Sequence, residues 1–226
     1  DVDSTLIQDE VIDLLADEAG CGAEVAELTA KAMAGELEFA DALRQRVALL
    51  AGLADDGVRR AQARLELTPG ARTFIRTLHR LGFTTAIISG GFTAFTDELA
   101  ADLDIAYSRA NELEVRDGRL TGAVVGEVVD REAKARFLVE VAAEVGVPIE
   151  QVVAVGDGAN DLDMLNAAGL GIAFNAKPVV RDAADTALRV PYLDAILFVL
   201  GVSREEVEAA DAADPTVPSD PPPPVR

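Results

Sequence analysis

Val152-Val153-Ala154-Val155 runs straight into Gly156-Asp157-Gly158-Ala159-Asn160-Asp161. Four consecutive apolar residues, three of them β-branched, offer no polar face to water, so a strand here must be covered on both sides. The glycines end it abruptly, and apolar positions resume at helical spacing from Leu162 to Ala168. A strand buried on both faces and handed directly to a helix belongs to a parallel sheet flanked by helices. That one junction restricts the fold to α/β.

The rest of the chain from residue 68 onward agrees. Thr68-Pro69 predicts a helix start and Gly82 its stop at Leu81. Thr84 to Ile88 is a short buried strand ending in Ser89-Gly90-Gly91, followed by a helix from Thr93 to Asp102. Alternation from Glu112 to Val125 around Asp117-Gly118 predicts a hairpin with a type I′ turn. Arg131 to Val145 is a helix stopped by Gly146 and Pro148. Short strands at 171–174 and 187–190 complete the sheet. Residues 9–67 carry helical periodicity only, with Phe39, Leu43, Arg46 and Leu50 on one face. The expected organisation is a Rossmann-like core (1–10 and 68–202), an all-α insertion (11–67) and an acidic, Pro-rich, unstructured tail (203–226).

Composition narrows the function. Lys+Arg 20 against Asp+Glu 40 gives a net charge of -20, which repels nucleic acid and anionic membranes. No run approaches the length of a membrane span. Cys21 is the sole cysteine, which favours a reducing, cytoplasmic home. His79 is the sole histidine, which excludes His-based triads and multi-His metal sites. Lysine occurs only as Lys31, Lys134 and Lys177. The numbering opens at Asp1 with no apolar strand in front, and a catalytic Asp ordinarily rides on a strand end, so further residues are expected upstream.

Four segments carry chemistry at expected strand ends or on an adjoining helix. In Asp1-Val2-Asp3-Ser4-Thr5 the two carboxylates converge if the chain breaks into a loop, and a second acidic loop, Asp157 to Asp161, completes an oxygen-rich cage suited to Mg²⁺. A carboxylate attacks phosphorus when a cation shields it, and a second carboxyl protonates the leaving alkoxide. With no eligible histidine, Asp3 is the candidate acid/base, its pKa raised by neighbouring anions. Ser89, Gly90 and Gly91 present a hydroxyl and approachable amides to a phosphate. Lys134 supplies the compact positive charge that phosphoryl oxygens need.

Taken in order and spacing, these segments resemble the haloacid-dehalogenase-like phosphatases, and more closely the phosphoserine phosphatases. The likeness extends into the insertion, through Met33 to Phe39 and Leu43 to Val47. It implies a helical cap on a Rossmann-like core, with Asp1 as nucleophile and Asp3 as proton donor. It further implies Mg²⁺ held by Asp1, the Asp3 carbonyl and Asp157, with Asp161 supporting the metal's water shell. Ser89, Gly90 and Lys134 would bind phosphate and Asn160 the phosphorylated substrate. Glu10 would take the substrate ammonium and Arg46 its carboxylate, with Phe39 shielding the site and Met33 nearby. The implied reaction converts O-phospho-L-serine to L-serine and phosphate, the last step of serine biosynthesis. A homodimer and an upstream regulatory module also accord with the family. The alternatives are the same fold acting on another small amino-acid phosphate, a phospho-Asp signalling receiver, and a non-catalytic scaffold. A receiver lacks both the Asp3 chemistry and a cap, and a decayed scaffold would not keep Asp1, Asp3, Lys134 and Asp157 intact.

Overall fold

Asp1 to Leu6 wind into a tight loop. The Val2 carbonyl accepts the amides of Thr5, Leu6 and Ile7 at 2.8–3.1 Å, and Ser4 takes φ 54°, a left-handed conformation that few L residues adopt. This is the break that lets the Asp1 and Asp3 carboxylates turn toward a common space. The computed structural model describes residues 1–213.

From the loop the chain passes through Ile7, which bridges antiparallel to Leu67. Gln8 and Thr68 donate across the same junction, to the carbonyls of Glu66 and Leu6, each at 2.9 Å. Between these two crossings lie α1 (Val11–Ala19), α2 (Gly22–Met33), α3 (Phe39–Ala48) and α4 (Asp55–Gln62). Val11, Ile12, Leu14 and Leu15 give α1 its buried stripe. Gly20, at φ 72°, ends the helix, and the amides of Gly20 and Cys21 reach back to the Asp17 and Ala16 carbonyls.

The remainder alternates: α5 (Ala71–Arg80), β1 (Ala86–Phe92), α6 (Thr93–Asp102), β2 (Tyr107–Arg116), β3 (Arg119–Val125), α7 (Arg131–Val145), β4 (Val153–Gly156), α8 (Leu162–Ala167), β5 (Leu170–Phe174), α9 (Pro178–Ala183), β6 (Thr186–Leu188), α10 (Ala195–Val199) and α11 (Arg204–Ala213). β4, β5 and β6 pair in parallel. β1 pairs in parallel with β2, which turns back antiparallel into β3 through Asp117 and Gly118, both at positive φ. The molecule is α/β with a Rossmann-like core. Among the described residues its strands form two three-stranded sheets rather than the single sheet expected. β1 and β4 are not hydrogen-bonded to each other, and Leu6, Ile87, Ile88, Phe137, Val153 and Val155 are among the residues lining an apolar cavity of about 560 Å³.

Three expectations need correction. Thr68 does not cap α5: its hydroxyl donates to the Thr5 carbonyl at 2.7 Å, and the helix starts after Gly70, whose φ of 83° and contact with Asp194 admit no side chain. β1 does not stop before Ser89 but continues to Phe92, held by the pairing of Phe92 with Asn111. Residues 204–213, assigned to an unstructured tail, form α11. Ala210 is buried there and an Arg76–Asp211 ion pair fastens the helix to α5. The Pro221–Pro224 run lies outside the described residues.

Candidate active site

The ends of β1 and β4, the opening loop and the first turns of α7 converge on one charged cluster. Lys134 lies one turn inside α7. Its helix is started by Asp130, whose carboxylate accepts the Ala133 amide at 2.9 Å. The Lys134 side chain is 1 % exposed, and its ammonium meets Asp1 Oδ1 and Asp161 Oδ1, both at 2.6 Å. Asp161 is 0 % exposed, and its second oxygen accepts the Gly158 amide at 3.0 Å. Both Asp161 oxygens therefore already hold a protein donor, which suits a supporting role better than direct coordination. Asp157 ends β4 and accepts the Thr5 hydroxyl at 3.3 Å. The backbone nitrogen of Asp1 donates to the Val155 carbonyl at 2.8 Å, which seats Asp1 beside that strand end.

Carboxylate oxygens of Asp1, Asp157 and Asp161 lie within 4.8 Å of one another. Asp3 adds a fourth acidic group, against a single buried ammonium. The imbalance shows in proton affinity. Burial, then the field of Glu10, raises Asp3 to about 8, and burial, then Asp161, raises Asp157 to about 6. The expected cause for Asp3 was its anionic neighbours, whereas loss of hydration comes first. Asp3 Oδ1 is also buried without a hydrogen-bond partner. An all-oxygen donor set with excess negative charge and an unsatisfied carboxyl oxygen is the environment that a hard divalent cation fits.

The phosphate-binding candidates sit at the end of β1. Ser89 is buried, and its oxygen accepts the Gly91 amide at 2.7 Å. A methyl group on Gly91 would lie 2.6 Å from Val11 and 3.0 Å from Asp3 Oδ2, and one on Gly90 would lie 3.0 Å from the Phe39 ring. The glycines thus keep a narrow space open between the Asp3 loop, α1 and α3.

The remaining candidates are held more loosely. Glu10 precedes α1, is exposed, and accepts the Ser4 hydroxyl at 2.7 Å. Arg46 is half-buried on α3, its guanidinium donating to the Ala42 carbonyl and the Thr29 hydroxyl, each at 3.3 Å. Burial lowers its pKa, while the fields of Asp13, Glu10 and Asp3 oppose that shift. Asn160 is half-buried on the turn Ala159–Asp161. Met33 is 66 % exposed at the end of α2. Sequence reasoning missed Thr5 as a donor to Asp157, Thr29 as a partner of Arg46, and Asn111 behind the Ser89 turn. The usable signal for Asn111 was an amide side chain inside a strand, where such residues are scarce.

Residues 1–166 match the model of the haloacid dehalogenase-like hydrolases. A phosphoserine phosphatase of Streptomyces coelicolor is 64% identical over 211 residues, 93% of this chain and 52% of that protein. One from Streptococcus thermophilus is 50% identical over 200 residues, 88% of this chain and 93% of that protein. The chain spans about half the length of the first of these and nearly all of the second. Among solved structures, a phospho-aspartyl intermediate analogue of phosphoserine phosphatase superposes with a TM-score of 0.83 at 43% identity, covering 88% of this chain and 95% of that one.

Proposed function

The chain belongs to the haloacid dehalogenase-like hydrolases, and we propose that it hydrolyses O-phospho-L-serine to L-serine and phosphate, the closing step of serine biosynthesis. The observation that carries this reading is the contrast between Asp1 and Asp3. They are two residues apart in one loop, yet Asp1 is paired with Lys134 while Asp3 is half-buried, its Oδ1 shut off from water and without a partner, and holds its proton to about 8. Two carboxyl groups driven into different roles by their surroundings are what a nucleophile and a general acid require.

The Asp1 carboxylate attacks phosphorus, forming an Asp1–phosphorus bond as the bond from phosphorus to the serine oxygen breaks. Asp3 gives its proton to that departing oxygen. Asp3, now ionised, takes a proton from water, which displaces Asp1 and releases phosphate. Ser89, Gly90 and Lys134 hold the phosphoryl oxygens, and Asn160 contacts the substrate from the rim. Mg²⁺ would be held by Asp1, the Asp3 carbonyl and Asp157, with Asp161 in support, and would neutralise charge on the phosphoryl group. The α1–α4 segment acts as a cap, its Arg46 taking the substrate carboxylate, Glu10 the ammonium, and Phe39 and Met33 screening the space between. A guanidinium suits a carboxylate bidentately.

Phosphate release from phosphoserine, phosphothreonine, phosphoethanolamine and p-nitrophenyl phosphate tests the reading. EDTA should abolish all turnover and added Mg²⁺ restore it. Phosphoserine should exceed phosphoethanolamine by roughly 30-fold or more in kcat/KM, because only it offers a carboxylate to Arg46. Equal rates would overturn the substrate assignment, and turnover indifferent to EDTA the metal.

A further inference from the structure

Asn111, on β2, is a polar side chain 1 % exposed that the chemistry above does not use. Its amide nitrogen donates to the Gly90 carbonyl at 2.8 Å and the Gly91 carbonyl at 3.2 Å, while its oxygen accepts the Val129 amide at 2.8 Å. Both donors and the acceptor are therefore engaged. These partners belong to separate elements: the glycines to the irregular end of β1 that carries Ser89, and Val129 to the approach to α7, which carries Lys134.

Peptide geometry transmits the effect. A trans peptide points its C=O and N–H in opposite directions, so anchoring the Gly90 carbonyl on Asn111 aims the Gly91 N–H away from it, onto Ser89 Oγ at 2.7 Å. That bond occupies a lone pair of the hydroxyl and leaves its proton free to donate. At the other end Val129 adjoins Asp130, which caps α7, and the Lys134 amide donates to the Asp130 carbonyl at 3.0 Å. We propose that Asn111 is the positioning residue for phosphate: its single amide clamps the Gly90–Gly91 end of β1 to the start of α7 and so sets the spacing between the Ser89 hydroxyl and the Lys134 ammonium. The inference rests on the phosphomonoester chemistry above but is independent of the identity of the leaving group.

Asn111→Asp keeps the acceptor for Val129 and removes both donors to the glycines. Asn111→Ser, neutral and smaller, controls for the added charge and carries the test if the first variant does not fold. Each should lower kcat/KM about 30- to 100-fold on both phosphoserine and p-nitrophenyl phosphate, the scale of a misplaced binding group. Inhibition by inorganic phosphate should weaken in step, and the Mg²⁺ concentration for half-activation should not move. In a Ser89→Ala background the same change should cost less than about threefold, because its effect runs through Ser89. A lowered melting temperature with parental kinetics and parental phosphate inhibition would make Asn111 merely structural and overturn the proposal, as would fully additive losses. A parent inactive on phosphoserine would sink only the substrate assignment, since p-nitrophenyl phosphate and inorganic phosphate still report on Asn111.

Discussion

The end of the sheet and the helical segment above it hold their charges in opposite ways. At the strand ends Lys134 and Asp161 are buried and bonded to each other at 2.6 Å, and Asp161 is bonded again to backbone. In the helical segment Arg46 is half-buried and rests on two bonds of 3.3 Å, while Glu10 faces solvent with a serine for company. The first arrangement is preorganised: reorienting any member breaks a buried charge-assisted pair, which is costly. The second is adjustable, because exposed or weakly held charges move at little expense. Reaction chemistry that never varies belongs in the first setting, and recognition of one particular substrate belongs in the second.

The largest test of that contrast is Asp1→Asn. Removing the proposed nucleophile should lower turnover of every substrate by at least about 10³-fold and abolish a beryllofluoride adduct, while circular dichroism stays unchanged. More than a few per cent residual activity would rule out covalent catalysis through Asp1.

Arg46→Ala should divide the two regions more sharply. Loss of one charge-assisted pair in a closed site costs on the order of 30- to 1000-fold in kcat/KM, and the loss should fall on phosphoserine while p-nitrophenyl phosphate changes less than about threefold. Glu10→Gln should follow the same pattern more mildly. Equal losses on both substrates would show that the helical segment serves the chemistry as much as the recognition.

The smallest effect is on stability. Asp3 binds its proton more tightly in the folded chain, at about 8, than at the ordinary 3.8. Its burial is therefore tolerated best at low pH, and stability is lost as pH rises through that interval, with Asp157 adding to the loss between 3.8 and about 6. In EDTA, Asp3→Asn should melt progressively above the parent as pH rises from 5 to 8.5, the gap reaching on the order of 5 °C. Mg²⁺ should narrow it. A gap independent of pH would mean that Asp3 is ionised in the folded protein.

Local signals made much of this legible. Asp157 and Asp161 stood out because paired glycines and a buried strand frame them, and α7 has the expected bounds because its Asp130 cap and Gly146 stop are written at its two ends. What escaped depended on partners distant in sequence. β2 starts at Tyr107 because β1 is there to pair with it in parallel. α11 looked like tail because its composition is acidic, and the anchors that hold it, the burial of Ala210 and the pair of Asp211 with the distant Arg76, are not written in the segment itself. Asn111 carries no motif, and its meaning comes from Gly90, Gly91 and Val129 arriving on three sides. Charge scarcity compensated once: with so few lysines, Lys134 could be singled out before its two aspartates were seen.

The bridge between Ile7 and Leu67 has a consequence for how such a molecule diversifies. The chain departs for the helices and returns from them at adjacent points, so everything between behaves toward the sheet as one closed loop. The entropy of closing a loop grows only with the logarithm of its length, and the junction is secured by backbone bonds that are indifferent to side-chain identity. A shorter, longer or different excursion could be spliced at residues 7 and 67 without disturbing that backbone junction, provided it still supplies the contacts that Val11 and Phe39 make with Gly91 and Gly90. Inheritance can therefore exchange the excursion, with the substrate recognition proposed for it, while the strand-end residues proposed for phosphoryl transfer pass on.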